Sequence, residues 1–331
     1  LQGSQVLQML EKSLRKSLPE SLKVYGTIFH MNQGNPFKLK ALVDKWPDFT
    51  TVVTRPQEEE MADDFDHYTN TYQIYSKNPQ NCQEFLGASS VINWKQHLQI
   101  QTANLVKVNQ QQGIVYTMPE RARKLLPSLL EAKNLPLESG RAKTILNEVM
   151  QNLAATKSFQ VKQTQCFLFF LANTIKKLVP SLLDVKKLAP GGGKPKPINQ
   201  EMFKLSSLDV THATFVNKFW HFGGNERSQR FIERCIQTFP TFCLLGPEGT
   251  PVSWSLMDQT GELRMAGTLP EYQGQGLVSH VIYSQVQALE KLSFPLYSHT
   301  DKSHKIMQKM SYRLHFLRMP CDWNQWHCTP L

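Results

Sequence analysis

One short stretch of the sequence cannot form a regular element, and it divides the chain of 331 residues into two parts. Residues 188–199 contain three glycines and three prolines. Proline removes a backbone N–H and fixes φ, and glycine loses much conformational entropy on ordering, so neither a helix nor a strand is expected there. We therefore predict a linker at 188–199, an N-terminal domain at 1–187 and a C-terminal domain at 200–331.

The N-terminal part shows alternating strand and helix patterns. Apolar periodicity predicts strands at 22–29, 50–54, 68–75 and 159–171, and helices at 36–45 and 173–183. Residues 119–133, rich in Arg, Lys and Leu, predict one short amphipathic helix, although a basic helix can also dock on a membrane or a partner. This part of the sequence shows no catalytic constellation.

The C-terminal part begins with a helix pair and continues with two hairpins. Asp209 is the predicted N-cap of the first helix, and Gly223-Gly224-Asn225 separates it from the second. The predicted strands are 202–206, 241–245, 252–257 and 262–269, and the predicted helices are 209–222, 226–238 and 275–292. The two hairpins therefore lead into a third antiparallel strand that ends at a glycine-rich loop.

Composition narrows the classes of partner. The formal net charge of +10 suits an anionic partner, and nucleic acid, an anionic membrane surface and a phosphate-rich cofactor all fit it. No stretch approaches the ~20 consecutive apolar residues of a membrane span, and no nucleic-acid-binding module is recognisable, so we predict neither a membrane span nor bound nucleic acid. The six cysteines include no C-x-x-C pair, so we predict no metal site and reduced, mostly buried thiols.

The feature with the clearest chemistry is the glycine-rich turn from a strand into a helix. Backbone N–H groups at a helix N-terminus form a site for a pyrophosphate, and glycine removes side chains that would block its approach. The spacing differs from G-x-G-x-x-G and no G-K-[ST] follows, which speaks against dinucleotide and mononucleotide sites. The predicted binding residues are Leu269, Gln273, Gly274, Gln275, Gly276 and Leu277.

This turn resembles a known motif. The run at 270–277, PEYQGQGL, resembles motif A of the GNAT superfamily, Q/R-x-x-G-x-G/A. In that superfamily the loop binds the pyrophosphate of coenzyme A, so the resemblance implies acyl-coenzyme A as a co-substrate and no permanently bound cofactor. Glu271 occupies the usual Gln/Arg position and Gln273 a position where arginine is frequent, which makes this loop less positive than the superfamily pattern.

Longer runs resemble one family within the superfamily, the acyl-CoA:amino acid N-acyltransferases. They lie at 216–228, 243–251, 265–272 and 323–326, and in the N-terminal part at 24–26 and 67–75. The resemblance implies an α/β (α+β) fold of two GNAT-like domains, each a mixed, largely antiparallel sheet flanked by helices. Family sequences pass almost directly from the region of 99–101 to 146–148, so we predict an insertion at about 102–141.

The resemblance also implies a function. It indicates a mitochondrial enzyme that transfers an acyl group, typically benzoyl, from coenzyme A to glycine, and we expect a monomer. One alternative is another amino acid acceptor such as glutamine. A second alternative, from a different class, is an acyl-CoA-binding protein without transfer activity.

Amide formation from a thioester needs a neutral amine, so a base must accept a proton from the acceptor. The amine and the thioester can react directly, without a covalent enzyme intermediate, once both are held together. The resemblance implies that Glu226 is this base and that Asn225 and Arg227 contact substrate. An acidic residue in the first turn of a helix can instead simply complement the helix dipole.

Other roles stay open at this point. His280, His299 and Asp301 are alternative bases on the helix after the loop and on the following strand. GNAT enzymes often supply a tyrosine acid for the leaving thiolate, but here Met307 lies near that position and Tyr312 lies further along. Arg227 and Arg264 are candidates for the cations that attract coenzyme A and the glycine carboxylate.

Overall fold

The computed structural model describes residues 1–103 and 145–331. The predicted insertion at about 102–141 lies almost entirely outside the described residues, as does the predicted helix at 119–133. Both therefore stay predictions.

The described residues contain nine α-helices and eleven strands. The helices are α1 (Ser4–Arg15), α2 (Leu22–Asn32), α3 (Gln83–Gly87), α4 (Ile145–Lys157), α5 (Ala172–Leu178), α6 (Ala213–Phe219), α7 (Glu226–Thr238), α8 (Leu277–Lys291) and α9 (Lys305–Arg313). The strands are β1 (Leu39–Val43), β2 (Thr51–Pro56), β3 (Thr71–Ser76), β4 (Leu98–Thr102), β5 (Phe159–Leu171), β6 (Lys204–Ser206), β7 (Phe242–Leu245), β8 (Pro251–Met257), β9 (Leu263–Thr268), β10 (Tyr297–Asp301) and β11 (Phe316–Pro330).

These strands form a large and a small sheet. The large sheet has the order β1-β2-β3-β4-β11-β5-β10, and its pairs are antiparallel except for the parallel pair β3–β4. The small sheet has the order β6-β7-β8-β9 and is antiparallel throughout. Sheets flanked by helices in this mixed, largely antiparallel arrangement confirm the predicted fold class.

The last strand joins the two halves of the sequence. β11 lies between β4 and β5, pairing Trp326 with Ile100 on one side and with Gln163 on the other. An irregularity between Arg318 and Asp322 lets this long strand bend while it follows β5 along its length. Residues 188–199 form neither helix nor strand, yet strands from both sides of them share one sheet.

Two predicted elements of the N-terminal half are wrong. The predicted strand at 22–29 lies in helix α2, which is buried on nearly all sides, so its apolar run lacks the one-sided period that identifies a helix. The predicted helix at 36–45 contains strand β1, whose Leu39 and Ala41 are buried while Lys40 is half-buried. Pairing of β1 with β2 decides its conformation, because sheet contacts override local propensity.

Several other elements are confirmed, most of them near the site. Helix α7 has the predicted bounds, β7, β8 and β9 lie within one or two residues of their predicted positions, and β5 matches its predicted range. Asp209 accepts a hydrogen bond from the Thr211 backbone N–H as an N-cap, before a 3-10 turn that leads into α6. Helix α5 ends at Leu178 rather than at 183, because Pro180 stops it.

Two further expectations concern the state of the cysteines and the length of the helices. All six cysteines are free and buried, as predicted. Within residues 1–103 and 145–331, every helix is too short or too polar to cross a lipid bilayer.

Candidate active site

Strands β9 and β10 lie side by side at the meeting point of the two sheets, but in the described structure they do not pair as strands of one sheet. Glu262, just before β9, and Tyr297 form an isolated parallel bridge. Beyond it, a cavity of about 260 Å³ lies between residues 263–266 of β9 and 298–300 of β10. Its walls are mostly aromatic and aliphatic side chains, with Arg264 and His299 among the polar ones. We call it the strand-gap cavity.

The glycine-rich turn lies at the N-terminus of α8, the helix that contributes Ile282 to the strand-gap cavity. Gly274 and Gly276 have φ values of +82° and +78°, and a Cβ atom at either position would meet open space. Residues 273–276 are exposed, so the N–H groups of the first helical turn, which have no intrahelical partner, face solvent. Leu269 is partly buried and Leu277 is fully buried, and they anchor the two ends of the turn.

The predicted base Glu226 lies in the first turn of α7. Its side chain is 88% exposed and forms an ion pair with Arg230 at 3.2 Å. It lines neither the strand-gap cavity nor the second cavity described below.

The neighbours of Glu226 hold α7 against the N-terminal half. Asn225 caps α7 by accepting from the Ser228 N–H, and its Nδ2 donates to the Tyr68 hydroxyl at 3.1 Å. Arg227 donates through Nε to Asp63 at 2.9 Å. Asn225 and Arg227 therefore make contacts between the two halves of the chain, and Glu226 lies between them on the outer surface.

A buried carboxylate organises the inner end of the strand-gap cavity. The fully buried Glu262 binds the Nζ of the buried Lys23 and the Nδ1 of His299, and it accepts from Trp323 Nε1 at 3.1 Å. Burial alone would raise the pKa of Glu262, but the contacts with His299 and Lys23 outweigh burial and hold that pKa well below its usual range. The carboxylate is therefore ionised and holds three side chains in place.

His299 is the predicted alternative base that the structure places at the cavity. Its ring stacks on Trp323, and with Nδ1 bound to Glu262 the edge that carries Nε2 is the one left for a substrate. A carboxylate that binds one ring nitrogen in this way fixes the tautomer and the orientation of the imidazole. His299 and Glu262 therefore form a dyad that can accept a proton within the cavity.

Of the two candidate cations, Arg264 lines the strand-gap cavity and Arg227 does not. Arg264 is 7% exposed, it pairs with Asp258 at 3.4 Å, and its guanidinium lies within 6 Å of the ring centroids of Trp220, Phe222 and Trp323. Planar stacking on aromatic rings is a typical arrangement for arginine, because its guanidinium is weakly hydrated.

Of the remaining candidates, only Met307 is among the described residues that line the strand-gap cavity. Tyr312 packs edge-on against Phe169 and does not line it. Asp301 ends β10 and accepts hydrogen bonds from Ser303, which lower its pKa. His280 is half-buried on α8, where burial lowers its pKa.

Sequence reasoning missed Glu262 and Lys23. Lys23 stands within an otherwise apolar run, and a lysine there is a signal for a buried ion pair, because an unpaired buried ammonium is costly. Glu262 carries no such signal, since it directly follows a turn, where an acidic residue is usually exposed. Only the folded structure brings the two together across more than 200 residues.

A solved structure shares this fold. A Drosophila protein solved by X-ray crystallography superposes with a TM-score of 0.65, covering 99% of this chain and 97% of that chain at 11% identity. The parted strands, the glycine-rich turn at the next helix and the overall topology define a GNAT-like fold.

Sequence comparison then identifies the family. The profile for the aralkyl acyl-CoA:amino acid N-acyltransferases matches residues 1–146 and 139–240, and the profile for the C-terminal region of that family matches residues 242–330. The chain belongs to this family.

Curated relatives match along the whole chain. The human protein named glycine N-acyltransferase is 65% identical over 331 residues, covering 100% of this chain and 99% of the relative. The bovine protein named glycine N-phenylacetyltransferase is 63% identical with the same coverage. A mouse protein named glycine N-acyltransferase-like protein is 60% identical over 332 residues, again covering 100% of this chain and 99% of the relative.

Proposed function

We propose that this chain transfers an acyl group from acyl-coenzyme A to the amine of glycine. One structural observation carries the proposal: β9 and β10 separate beyond the Glu262–Tyr297 bridge and open a cavity whose walls are mostly apolar and include the ionisable side chains of Arg264 and His299. The names of the relatives support the same reaction. Glutamine or another amino acid remains the alternative acceptor, because the cavity by itself does not select the side chain of the acceptor.

Acyl-coenzyme A is the co-substrate in this proposal. The N–H groups at the start of α8, from Gly274 to Leu277, bind the pyrophosphate, and the acyl thioester extends into the strand-gap cavity. Aromatic and aliphatic walls, among them Trp220 and Phe222, suit a benzoyl or similar acyl group. The acceptor amine then attacks the thioester carbon directly, and the thiolate leaves.

Two residues can act as the base, and they differ in placement. Glu226 is our prediction from the family resemblance, and it lies exposed at the N-terminus of α7. His299 is the candidate that the geometry favours, because it lines the strand-gap cavity and is oriented by Glu262. Either residue would accept one proton from the amine of glycine.

The direct test is thiol release from benzoyl-CoA by the purified chain with and without glycine. We expect release to depend on glycine and the acylated amino acid to form in equal amount, measured by mass spectrometry. Replacing glycine by glutamine tests the alternative acceptor. If benzoyl-CoA binds in a calorimeter but no amino acid stimulates release, the chain is an acyl-CoA-binding protein and the transferase proposal fails.

Two further parts of the proposal concern the state of the protein in the cell. We propose a mitochondrial location, on the strength of the family resemblance, and cell fractionation with an antibody against the chain tests it. We also propose a monomer. Light scattering of the purified chain should give the mass of one chain, 38.0 kDa, and twice that mass would contradict the proposal.

A further inference from the structure

A second cavity lies where the two halves of the chain meet. It has a volume of about 230 Å³ and is bounded by β3, β4 and β11 on one side. Trp220, Phe222 and Arg264 form part of the opposite wall. We call it the junction cavity. Its volume lies below the ~300–1,000 Å³ of sites that take drug-sized ligands, so it suits a small molecule.

The junction cavity carries a single fixed charge. Among the described residues that line it, Arg264 is the only arginine or lysine, and there is no aspartate or glutamate. The two histidines that line it, His67 and His327, have ring centroids 4.3 Å apart and ring planes tilted by 58°. Burial, with the charge of His327, lowers the pKa of His67 to about 3, and burial also lowers the pKa of His327, so both are neutral near pH 7. A ligand in this cavity therefore meets one positive charge, which favours an anionic group.

Three residues that line this cavity carry buried polar atoms without hydrogen-bond partners. Within residues 1–103 and 145–331, neither Arg264 Nε nor the Oε1 atoms of Gln101 and Gln259 have a hydrogen-bond partner. All three side chains are more than nine-tenths buried and line the cavity. Leaving such atoms unpaired costs free energy, so their convergence indicates a ligand with both acceptors and donors.

The orientation of these groups is set by their remaining contacts. Arg264 uses Nη1 for Asp258, which leaves the edge that carries Nε for a further acceptor. The amide nitrogen of Gln101 donates to Gln325 at 3.0 Å, so its carbonyl oxygen is the atom left over. The cavity thus offers one arginine edge and two carbonyl oxygens.

The junction cavity adjoins the strand-gap cavity. Trp220, Phe222 and Arg264 line both, so one guanidinium lies in the wall between them. A small molecule held by Arg264 is therefore placed next to the space assigned to the acyl group.

We propose that the junction cavity binds the acceptor amino acid, with Arg264 holding its carboxylate. The arginine edge donates to the carboxylate, and the carbonyl oxygens of Gln101 and Gln259 accept from the amino group. This inference rests on the proposed function and adds to it the residue that recognises the acceptor. Glu226, on the outer surface of α7, lies outside this cavity.

The test compares glycine with glycinamide, which has the amine but lacks the carboxylate. The wild-type chain should use glycine far better than glycinamide with benzoyl-CoA as donor. Arg264→Gln should raise KM for glycine about 10- to 100-fold, the range of a charge-assisted hydrogen bond, and leave KM for benzoyl-CoA unchanged. The same variant should use glycine and glycinamide about equally well.

Two further variants keep the test decisive. Arg55→Gln is the matched control, because Arg55 is also buried with an unpartnered Nε but lines neither cavity; its KM for glycine should stay at the wild-type value. Gln259→Met removes the side-chain carbonyl of a residue that lines the junction cavity. Because that oxygen has no hydrogen-bond partner, the change breaks no hydrogen bond to it. The variant should raise KM for glycine about 2- to 10-fold. If Arg264→Gln does not fold, the KM of Gln259→Met for glycine decides whether the junction cavity binds the acceptor.

The outcomes separate this inference from the proposed function. If the wild type releases thiol with glycine but Arg264→Gln still prefers glycine to glycinamide, the junction cavity is not the acceptor site. A rise of KM for benzoyl-CoA alone would likewise overturn the inference, because Arg264 would then serve the donor. A wild-type chain that shows no glycine-dependent release refutes the proposed function itself.

Discussion

The imidazole of His299 stacks on the indole of Trp323, with ring centroids 3.9 Å and planes 14° apart. Both rings bind the same buried carboxylate, that of Glu262, which also pairs with Lys23 from helix α2. One carboxylate therefore ties together β10, β11 and the N-terminal half. Because a buried charge is costly when any partner is lost, this arrangement is expected to be rigid.

The first prediction concerns the base. If Glu226 is the base, Glu226→Gln should lower kcat about 10²- to 10⁴-fold near neutral pH, with partial recovery at high pH, where the amine loses its proton without help. His299→Gln should then leave the shape of the pH–rate profile unchanged. Steady-state kinetics of both variants from pH 6 to 10 make the comparison.

The reverse pattern would assign the base to the dyad. In that case His299→Gln lowers kcat near neutral pH and recovers part of it at high pH. Glu226→Gln then behaves as the wild type, in keeping with the exposed position of Glu226. Since His299→Gln also removes a partner of the buried Glu262, thermal unfolding must show that the variant is folded.

The second prediction concerns the glycine-rich turn. Gly276→Ala places a side chain at a φ of +78°, which costs about 1–2 kcal/mol and shifts the N–H groups at the start of α8. We expect KM for benzoyl-CoA to rise about tenfold while KM for glycine is unchanged. Gly249→Ala is the matched control, because Gly249 has a φ of +74° and equally open surroundings in a turn elsewhere. An equal rise of KM for benzoyl-CoA in both variants would show that the turn does not bind the donor.

The third prediction concerns the contact between α2 and the turn before β9. A Cβ atom on Gly26 would lie 2.1 Å from the backbone oxygen of Thr260, so Gly26→Ala must displace one element from the other. We expect a loss of about 1–3 kcal/mol in the free energy of unfolding, measured by urea denaturation. Gly87→Ala, where the nearest atom lies at 3.4 Å, should be neutral or slightly stabilising. Equal stabilities of the two variants would contradict this packing.

The fourth prediction concerns pH. His30 is 4% exposed, and burial lowers its pKa to about 4 from 6.5. Because the unfolded chain protonates first, the stability that His30 contributes is complete above pH 6.5 and is lost as the pH falls from 6.5 towards 4. Between pH 7.5 and 5 this loss amounts to about 2 kcal/mol.

The variant His30→Leu isolates this contribution. Urea denaturation at pH 7.5 and 5 should show that the variant loses about 2 kcal/mol less than the wild type over this interval. Identical losses would mean that His30 is already accessible to protons in the folded protein.

Local sequence signals predicted much of the C-terminal half. Helix α7 begins after a glycine pair and a capping asparagine, Asn225, and the turn at Gly274 and Gly276 requires φ values that only glycine adopts easily. Caps and turns of this kind act over a few residues, so they can be read directly from the sequence.

The same signals failed where burial is complete. Neighbours that are distant in the sequence decide the conformation of both elements. Helix α2 packs against the turn at 258–262, and strand β1 pairs with β2. An apolar run that is buried on all sides has no period to reveal its type.

By itself the sequence determined the glycine-rich turn, the capped helix that starts at Glu226, and the resemblance that leads to an acyl-CoA-dependent chemistry. The tertiary structure alone decided which side chains meet. It placed β11 between β4 and β5, joined Lys23 to Glu262, and set Arg264 in the wall between two cavities. The physical reason is that caps and turns depend on neighbours along the chain. A buried ion pair or a cavity depends on residues that only the closing of the sheet brings together.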